Sequence, residues 1–466
     1  MASNLPDYVA SAQPVPQSAR VSWFKSTAQT YAGIMLWFVF WQDVPLGNGA
    51  PGGTLAQGLG VAFLGLVVAA LLCHFLYYLV PGLLGMKTGL PLYIVGTSTY
   101  GAHGGFIMPG FLMGILQFGW LGVNAFFSSL LLVAPFFPTM EAATLSPAHR
   151  IVAVIWAVVA AFVGLKGIKY VASIASFLPL IPLAILLILF GKTVSGIGAF
   201  DVQQTVDVAA VGGATALSTW GVIAALLVYI IGFFATAGAA GTDFGMNNRD
   251  AKDVQLGGLI GITGATILAG GLSLLIVAGA YGSKLVDGAG QMETTQLMAG
   301  IMGTKTAAVF WYLLAIAAFP PACFSSFIAA NSFKTTLPKV NPFISVGIGT
   351  AVSIILAVMG WAGDVVSVFT VIGASFGPIC GAMAADYLLS GKKWAGPRAG
   401  FNPAGWISWV FGFVVGAADF IPGIKGMVPV PPLAAFVVGF VLYLILAKAG
   451  MESKTLDMPV LKTPPK

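Results

Sequence analysis

The stretch Trp37-Phe38-Val39-Phe40-Trp41-Gln42-Asp43-Val44-Pro45 puts a carboxylate, an amide and a proline inside the first long apolar run of the chain. A charged side chain within a membrane span costs about 2.5–3.5 kcal/mol on insertion scales, so it faces a cavity or a partner. The proline lacks a backbone donor and frees a carbonyl one turn earlier. The stretch therefore reads as a break in a membrane helix, with something polar bound beside it.

The surrounding composition agrees. Hydrophobic residues make up 58% of the 466, charged residues 8%, and the mean hydropathy is +0.94. That is too little charge to cover a soluble surface of this size. Apolar runs of about 20 residues, each able to cross the ~30 Å of bilayer hydrocarbon, recur along the chain. They fall at 28–46, 55–80, 105–133, 147–166, 170–191, 218–241, 254–281, 306–332, 343–361, 365–389, 403–421 and 430–448. The fold class is thus an all-α polytopic membrane protein of about twelve helices. Residues 1–27 form an N-terminal segment, 28–450 the transmembrane domain and 451–466 a polar tail, expected to be disordered.

The net charge of +6 is a topology signal rather than a nucleic-acid patch. With the N-terminus in the cytoplasm, 16 of the 21 Lys and Arg residues fall on the inside, among them Arg20, Lys87, Lys169, Arg249, Lys392 and the tail residues Lys462 and Lys466. The other five, Arg150, Lys192, Lys284, Lys305 and Lys425, fall outside. This is the positive-inside bias of a multi-pass protein of the plasma or inner membrane with both termini cytoplasmic. Residues 1–20 lack the apolar core of a cleavable signal peptide. Cys73, Cys323 and Cys380 lie in apolar runs and read as packed thiols.

The glycines read mainly as helix-packing positions, as in the pair Gly257 and Gly261. The run Gly232-Phe233-Phe234-Ala235-Thr236-Ala237-Gly238-Ala239-Ala240-Gly241 holds three within ten residues and suits a discontinuous sixth helix. Broken helices at corresponding places in two halves mark the midplane site of transporters built from inverted repeats, and the first and sixth runs are five helices apart. Two catalytic patterns fail. Gly373-Ala374-Ser375-Phe376-Gly377 lies in an apolar run, not a strand–turn–helix. Gly191-Lys192-Thr193 lacks the first glycine of a phosphate loop, since position 186 is Leu. The chain reads as no enzyme, and uphill transport draws on an ion gradient.

Several patches in order resemble one family. Pro14-Val15-Pro16-Gln17-Ser18-Ala19-Arg20 precedes the first run, and Gln117-Phe118-Gly119-Trp120-Leu121-Gly122 lies in the third. Gly232-Phe233-Phe234 through Thr242-Asp243-Phe244 closes the sixth, Ala322-Cys323-Phe324-Ser325-Ser326 lies in the eighth, and Ala385-Asp386-Tyr387 closes the tenth. Together they resemble the nucleobase–cation symporters, the purine–cytosine permease and hydantoin transporter family, over nearly the whole chain. The resemblance implies a leucine-transporter-type fold: two inverted five-helix repeats, about 28–191 and 218–389, with helices one and six broken, and two peripheral helices over 403–448.

It also implies a substrate site for a planar heterocycle, stacked between aromatic rings while amides satisfy its edge. Trp120 matches the stacking tryptophan, Phe234 the second stacking aromatic, and the Phe233 backbone the helix break. Gln117, Asn124 and Asn331 match polar ligands; Gln117, Trp120 and Asn124 share one helix face by their spacing. Sodium as coupling ion is implied at the carbonyls of Val39, Gln42 and Ala322 and the hydroxyls of Ser325 and Ser326. Against this stand a back-bonded role for the serines, a distortion of helix eight by Pro320-Pro321, and the proton coupling of some relatives.

Asp43 departs from the family, whose hydantoin branch has glutamine there. It reads as an acceptor for an amidine edge, a partner for a cationic ligand, a proton carrier, or a solvated helix end before Pro45-Leu46-Gly47. Asp243 and Asp386 read as structural acids near Arg249 and Lys392. The expectation is a cation-coupled importer of a nucleobase or related heterocycle, working in the lipid bilayer without cofactor, nucleic acid or obligate protein partner. The rivals are a same-fold transporter of a cationic or other small solute paired with Asp43, and a non-transporting membrane sensor or enzyme, which lacks a soluble domain or metal cluster to support it.

Overall fold

In the computed structural model, described over residues 5–167, 171, 175, 177–206, 215–286 and 292–458, the first apolar run folds as two helices. Thr27–Leu36 and Phe38–Trp41 are separated at Trp37, whose backbone is extended (φ −61°, ψ 128°). The expected break is present, but at the start of the quoted stretch rather than at its proline.

The other eleven runs are helices too. In chain order they are Gly58–Thr88, Phe106–Phe136, Pro147–Lys166, Leu180–Thr193, Thr219–Ala239, Ala251–Gly282, Thr304–Thr336, Pro342–Val358, Val365–Leu389, Pro403–Gly416 and Pro431–Lys448. Among the described residues nine helical stretches are long and apolar enough to span a bilayer, while Pro342–Val358 and Pro403–Gly416 are shorter. Boundaries follow local chemistry. Ser146 caps the fourth helix just ahead of Pro147, and Asp364 caps the tenth. The expected start of the fifth run, together with Lys169, Lys462 and Lys466, lies outside the described residues.

The packing has a five-helix period. The first, second, sixth and seventh helices pack on one another, and so do the third, fourth, eighth and ninth. Adding five to one and two gives six and seven; adding five to three and four gives eight and nine. This is the inverted-repeat architecture, with the tenth helix against the sixth and the eleventh and twelfth against the tenth. Small residues let these helices approach. A Cβ at Gly257 would stand 2.8 Å from Thr27, and one at Gly261 would stand 2.7 Å from Ala28, so the seventh helix lies directly on the first.

The sixth helix is interrupted later than expected. Its helical run continues through Phe233 to Ala239, and the turn comes at Ala240 before Gly241–Gly245. Gly232 and Gly238 serve close packing, since a Cβ at these positions would stand 2.7 Å from Phe369 and Tyr77 respectively. The eighth helix likewise runs unbroken through Pro320 and Pro321.

The described segments near the two ends, residues 8–20 and 453–456, lie on one face. Tyr8 donates to the Ala102 carbonyl, and Arg20 donates to Met86 and Asn248 carbonyls. At the other end, residues 453–456 are tied to the link after the tenth helix by Ser453 N–H to Asn402, Ala399 N–H to Lys454 and Leu456 N–H to Pro397. The expected disorder from Met451 thus fails for this stretch. Two charge assignments also change. Asp386 pairs with Arg398 at 2.9 Å, not Lys392, and Asp243 accepts the Leu92 N–H while Arg249 pairs with Asp253. The three cysteines are free and buried, as packed thiols are.

Candidate functional site

A broken membrane helix must satisfy its freed carbonyls inside the protein, because lipid offers no donors. At the break every one of the following finds a side-chain or loop donor. Leu36 accepts from the Trp41 indole at 2.9 Å, and Val39 and Phe40 share the Tyr229 hydroxyl at 2.8 Å each. The Trp41 carbonyl, which Pro45 cannot serve, accepts from the Ser273 hydroxyl at 2.6 Å. Gln42 accepts from the Thr294 N–H at 3.1 Å and Val44 from the Thr54 hydroxyl at 2.9 Å.

Beside the break, rings from four helices converge. Trp120 of the third helix lies 5.2 Å from Phe233 of the sixth, edge to face, and 5.4 Å from Phe369 of the tenth. Trp37 lies 6.0 Å from Trp120 and 6.3 Å from Phe233, and Phe40 lies 4.9 Å from Phe233. The Trp120 indole donates to the buried Thr236 hydroxyl at 3.2 Å. Such a cluster offers aromatic faces at stacking separation, with one hydroxyl and two indole donors at the rim.

Of the residues expected in a substrate site, Trp120 and Phe233 are brought together. Phe234 points to the other side of the sixth helix, with its ring 5.6 Å from Tyr31. Gln117 is buried one turn before Trp120 and has the Met113 sulfur 3.6 Å from its amide nitrogen. Asn124 is spent within the protein: it donates to the Ala318 carbonyl and accepts from Trp156 and Ser128. Asn331 is exposed. Asp43 is buried, lining a cavity of about 20 Å³ with Tyr229, Val365 and Val366, and its Oδ1 has no hydrogen-bond partner among the described residues.

The neighbouring Gln42 opens instead on a vestibule of about 690 Å³ on the face opposite the termini, shared with Phe126, Phe127, Glu141, Glu293 and Trp311. Burial pushes Glu293, in the loop before the eighth helix, up to about 7. The Gln42 side-chain oxygen accepts from Thr295 at 3.0 Å.

The oxygens expected to hold sodium are of the right kind for a hard cation, but most carry other bonds. Val39 and Gln42 carbonyls accept from Tyr229 and Thr294, and the Ser325 hydroxyl bonds back to Pro321 at 3.2 Å. The Ala322 carbonyl belongs to an unbroken helix. Ser326 differs: its hydroxyl is buried without a partner, where the helix passes Gly164.

Sequence reasoning missed Trp37, Phe40, Tyr229, Thr236 and Phe369. Thr236 carried a signal, since it lies one turn from Phe233 within the glycine-rich run. Phe369 carried none among 33 phenylalanines.

The sequence profile of one family, described as permease for cytosine/purines, uracil, thiamine and allantoin, matches residues 14–418. No curated protein matches the chain. Among solved structures, the chain is similar to the inward-facing conformation of Mhp1, with a TM-score of 0.69 and 14% identity over 97% of this chain and 94% of that one. It is also similar to Mhp1, a nucleobase-cation-symport-1 family transporter, in a closed conformation with bromovinylhydantoin bound, with a TM-score of 0.63 and 14% identity over 99% and 96% of the two chains. At that identity the likeness shows the fold.

Proposed function

Because the chain belongs to the family of permeases for cytosine and purines, uracil, thiamine and allantoin, we propose that it imports a nucleobase or related planar heterocycle by cation symport and alternating access. The face bearing both termini is cytoplasmic in this reading, in keeping with the distribution of Lys and Arg, and the membrane is the plasma or inner membrane. The protein acts as a transporter and not as an enzyme.

The observation that carries the reading is the ring cluster at the helix break. Trp120 and Phe233 stand 5.2 Å apart as a collapsed pair that a flat solute can part and enter. Each aromatic contact contributes about 0.5–1.5 kcal/mol beyond area burial. The amide nitrogen of Gln117, one turn from Trp120, donates to the Met113 thioether, a weak acceptor that a ring edge can replace. Asn124 reaches a substrate only by giving up one of its three bonds. Sodium is the coupling ion in this proposal, held by Ser326 with Ser325 and the carbonyls of Val39, Gln42 and Ala322; a proton is the alternative.

A second reading has its own observation. Asp43 is 5% exposed, its Oδ1 is unpartnered, and none of the three ion pairs among the described residues includes it. A cationic heterocycle would supply the missing charge. Uptake of labelled cytosine, purines and hydantoins into a permease-deficient host tests the first reading, with Trp120→Ala lowering uptake of the transported ring. No uptake of any of them, or normal transport by Trp120→Ala at normal membrane levels, rejects it. Uptake of a cationic ring that neutral nucleobases fail to compete supports the second.

A further inference from the structure

The chain has eleven tryptophans, of which Trp37, Trp41 and Trp311 are buried, and of these three Trp37 alone lacks an acceptor among the described residues. Trp41 donates to Leu36, Trp120 to Thr236 and Trp156 to Asn124. Trp311, Trp394, Trp406 and Trp409 donate to backbone carbonyls, each near 3 Å. Trp220 and Trp361 are exposed and Trp23 is partly so, open to outside partners. Trp37 is 8% exposed, and its indole nitrogen has no hydrogen-bond partner among the described residues.

Burying an unpaired donor is costly, so natural interiors rarely leave one. Seven indoles of this chain find acceptors, several of them across helix boundaries. The unspent one belongs to the residue whose extended backbone makes the break in the first helix. Its ring stands 6.0 Å from Trp120 and 6.3 Å from Phe233, the pair proposed above to take a flat solute between them. An indole N–H is a donor only, and it seeks an acceptor. Replacing it by an apolar atom relieves the cost, so its retention at this place calls for a ligand that repays it.

We infer that Trp37 sets substrate specificity, its indole N–H donating to an exocyclic carbonyl oxygen of the heterocycle stacked at Trp120. The inference rests on the heterocycle reading and adds the chemistry of the recognised edge, an oxo group. A site built to hydrogen-bond such a group rejects the analogue that lacks it far more strongly than a site built on shape alone.

The test uses pairs of rings that differ by the oxo group: cytosine against 4-aminopyrimidine, and hypoxanthine against purine. Affinities come from ligand-induced thermal stabilisation of the purified full-length protein and from competition with labelled uptake in proteoliposomes. Wild type binds the oxo member of each pair tighter by roughly 10- to 100-fold, the range for one well-made hydrogen bond to a buried donor. Trp37→Phe abolishes that preference by weakening the oxo member and leaving its partner within about twofold. If phenylalanine leaves too large a void, replacing the indole of Trp37 by benzothiophene keeps the bicyclic shape and removes only the N–H.

Equal losses for both members of a pair, or wild-type binding without oxo preference, overturns the assignment of Trp37 and leaves the heterocycle reading intact. Failure of wild type to bind any of the four rings overturns both.

Discussion

Replacing Arg398 tests how the face bearing the termini is held together. Arg398 is 4% exposed and lies in the link after the tenth helix. Its Nη1 donates to Asp386 at 2.9 Å and to the Ser98 carbonyl, and its Nη2 donates to Glu452 at 2.7 Å. Asp386 is 3% exposed and also accepts from Ser98 at 2.6 Å and Thr99 at 3.2 Å. Arg398→Met leaves Asp386 buried without a counter-charge, a loss of about 3–5 kcal/mol. Glu452 is different, with a side chain 28% exposed. Solvent screens it, so Glu452→Gln costs about 1 kcal/mol or less. The pair Arg398→Met with Asp386→Leu removes both buried charges together and recovers most of the loss, because a buried ion pair and an apolar replacement are nearly equivalent. Thermal unfolding of detergent-purified protein reads the ranking. Limited proteolysis adds an independent signal, since Arg398→Met releases residues 452–456 from Asn402, Ala399 and Pro397. The reasoning fails if Arg398→Met is no worse than Glu452→Gln, or if the double variant is no better than Arg398→Met alone.

Single groups carry two further predictions. Burial pushes Asp243 up to about 6 against the partial relief of the Leu92 N–H, so folding favours its protonated form; the corresponding stability, about 3 kcal/mol, is complete below the ordinary carboxylate pKa near 3.8 and is lost as pH rises through 6. The wild-type unfolding temperature therefore rises from pH 7 to pH 5 relative to that of Asp243→Asn, and a constant difference between the two refutes the assignment. For the coupling ion, Ser326→Ala raises the sodium needed for half-maximal uptake by about 5- to 100-fold, whereas Ser325→Ala changes it less because its hydroxyl is already bonded to Pro321; sodium-independent uptake driven by a pH gradient removes both from the ion site.

The twelve helices were legible because a membrane span writes its signal locally, as an apolar run of fixed length. Where a cap adjoins the run, as at Ser146 before Pro147 and at Asp364, the expected bounds 147–166 and 365–389 agree with the structure to the residue. What the sequence concealed depends on rotation and on distant partners. Phe233 and Phe234 are neighbours in sequence but point about 100° apart on a helix, so a match to a family pattern does not decide which one faces Trp120. The polar residues and the proline mark the stretch Trp37–Pro45 as a break without fixing its residue. It falls at Trp37, where Trp41 and Thr54 supply near donors to the open backbone and Tyr229, Ser273 and Thr294 supply the others from roughly 190 to 250 residues away in the chain.

Those donors also suggest how the two helix groups move against one another. The ties from the break run to Tyr229 of the sixth helix and Ser273 of the seventh, within the group that contains the first helix. Within that group Tyr31 also bonds Ala237, Tyr78 bonds Val254 and Thr263 bonds Ala70. The other group has its own set, with Asn124 bonded to Ala318 and Trp156, and Ser353 to Phe118. Among the described residues the side-chain hydrogen bond that joins the two groups directly is Trp120 to Thr236. A second, indirect link runs through the short helix Thr294–Met302, where Thr294 and Thr295 bond Gln42 and the Trp311 indole bonds Thr295. The ring contacts of Trp120 with Trp37 and Phe233 join the same helices without a hydrogen bond. Directional bonds tie each group together internally, and at Trp120 the contact between the groups is made mainly by rings. A flat solute entering between Trp120 and Phe233 thus meets a boundary that, among the described residues, one direct side-chain hydrogen bond crosses, Trp120 to Thr236. Alternating access requires such a boundary, and here the candidate substrate site lies on it.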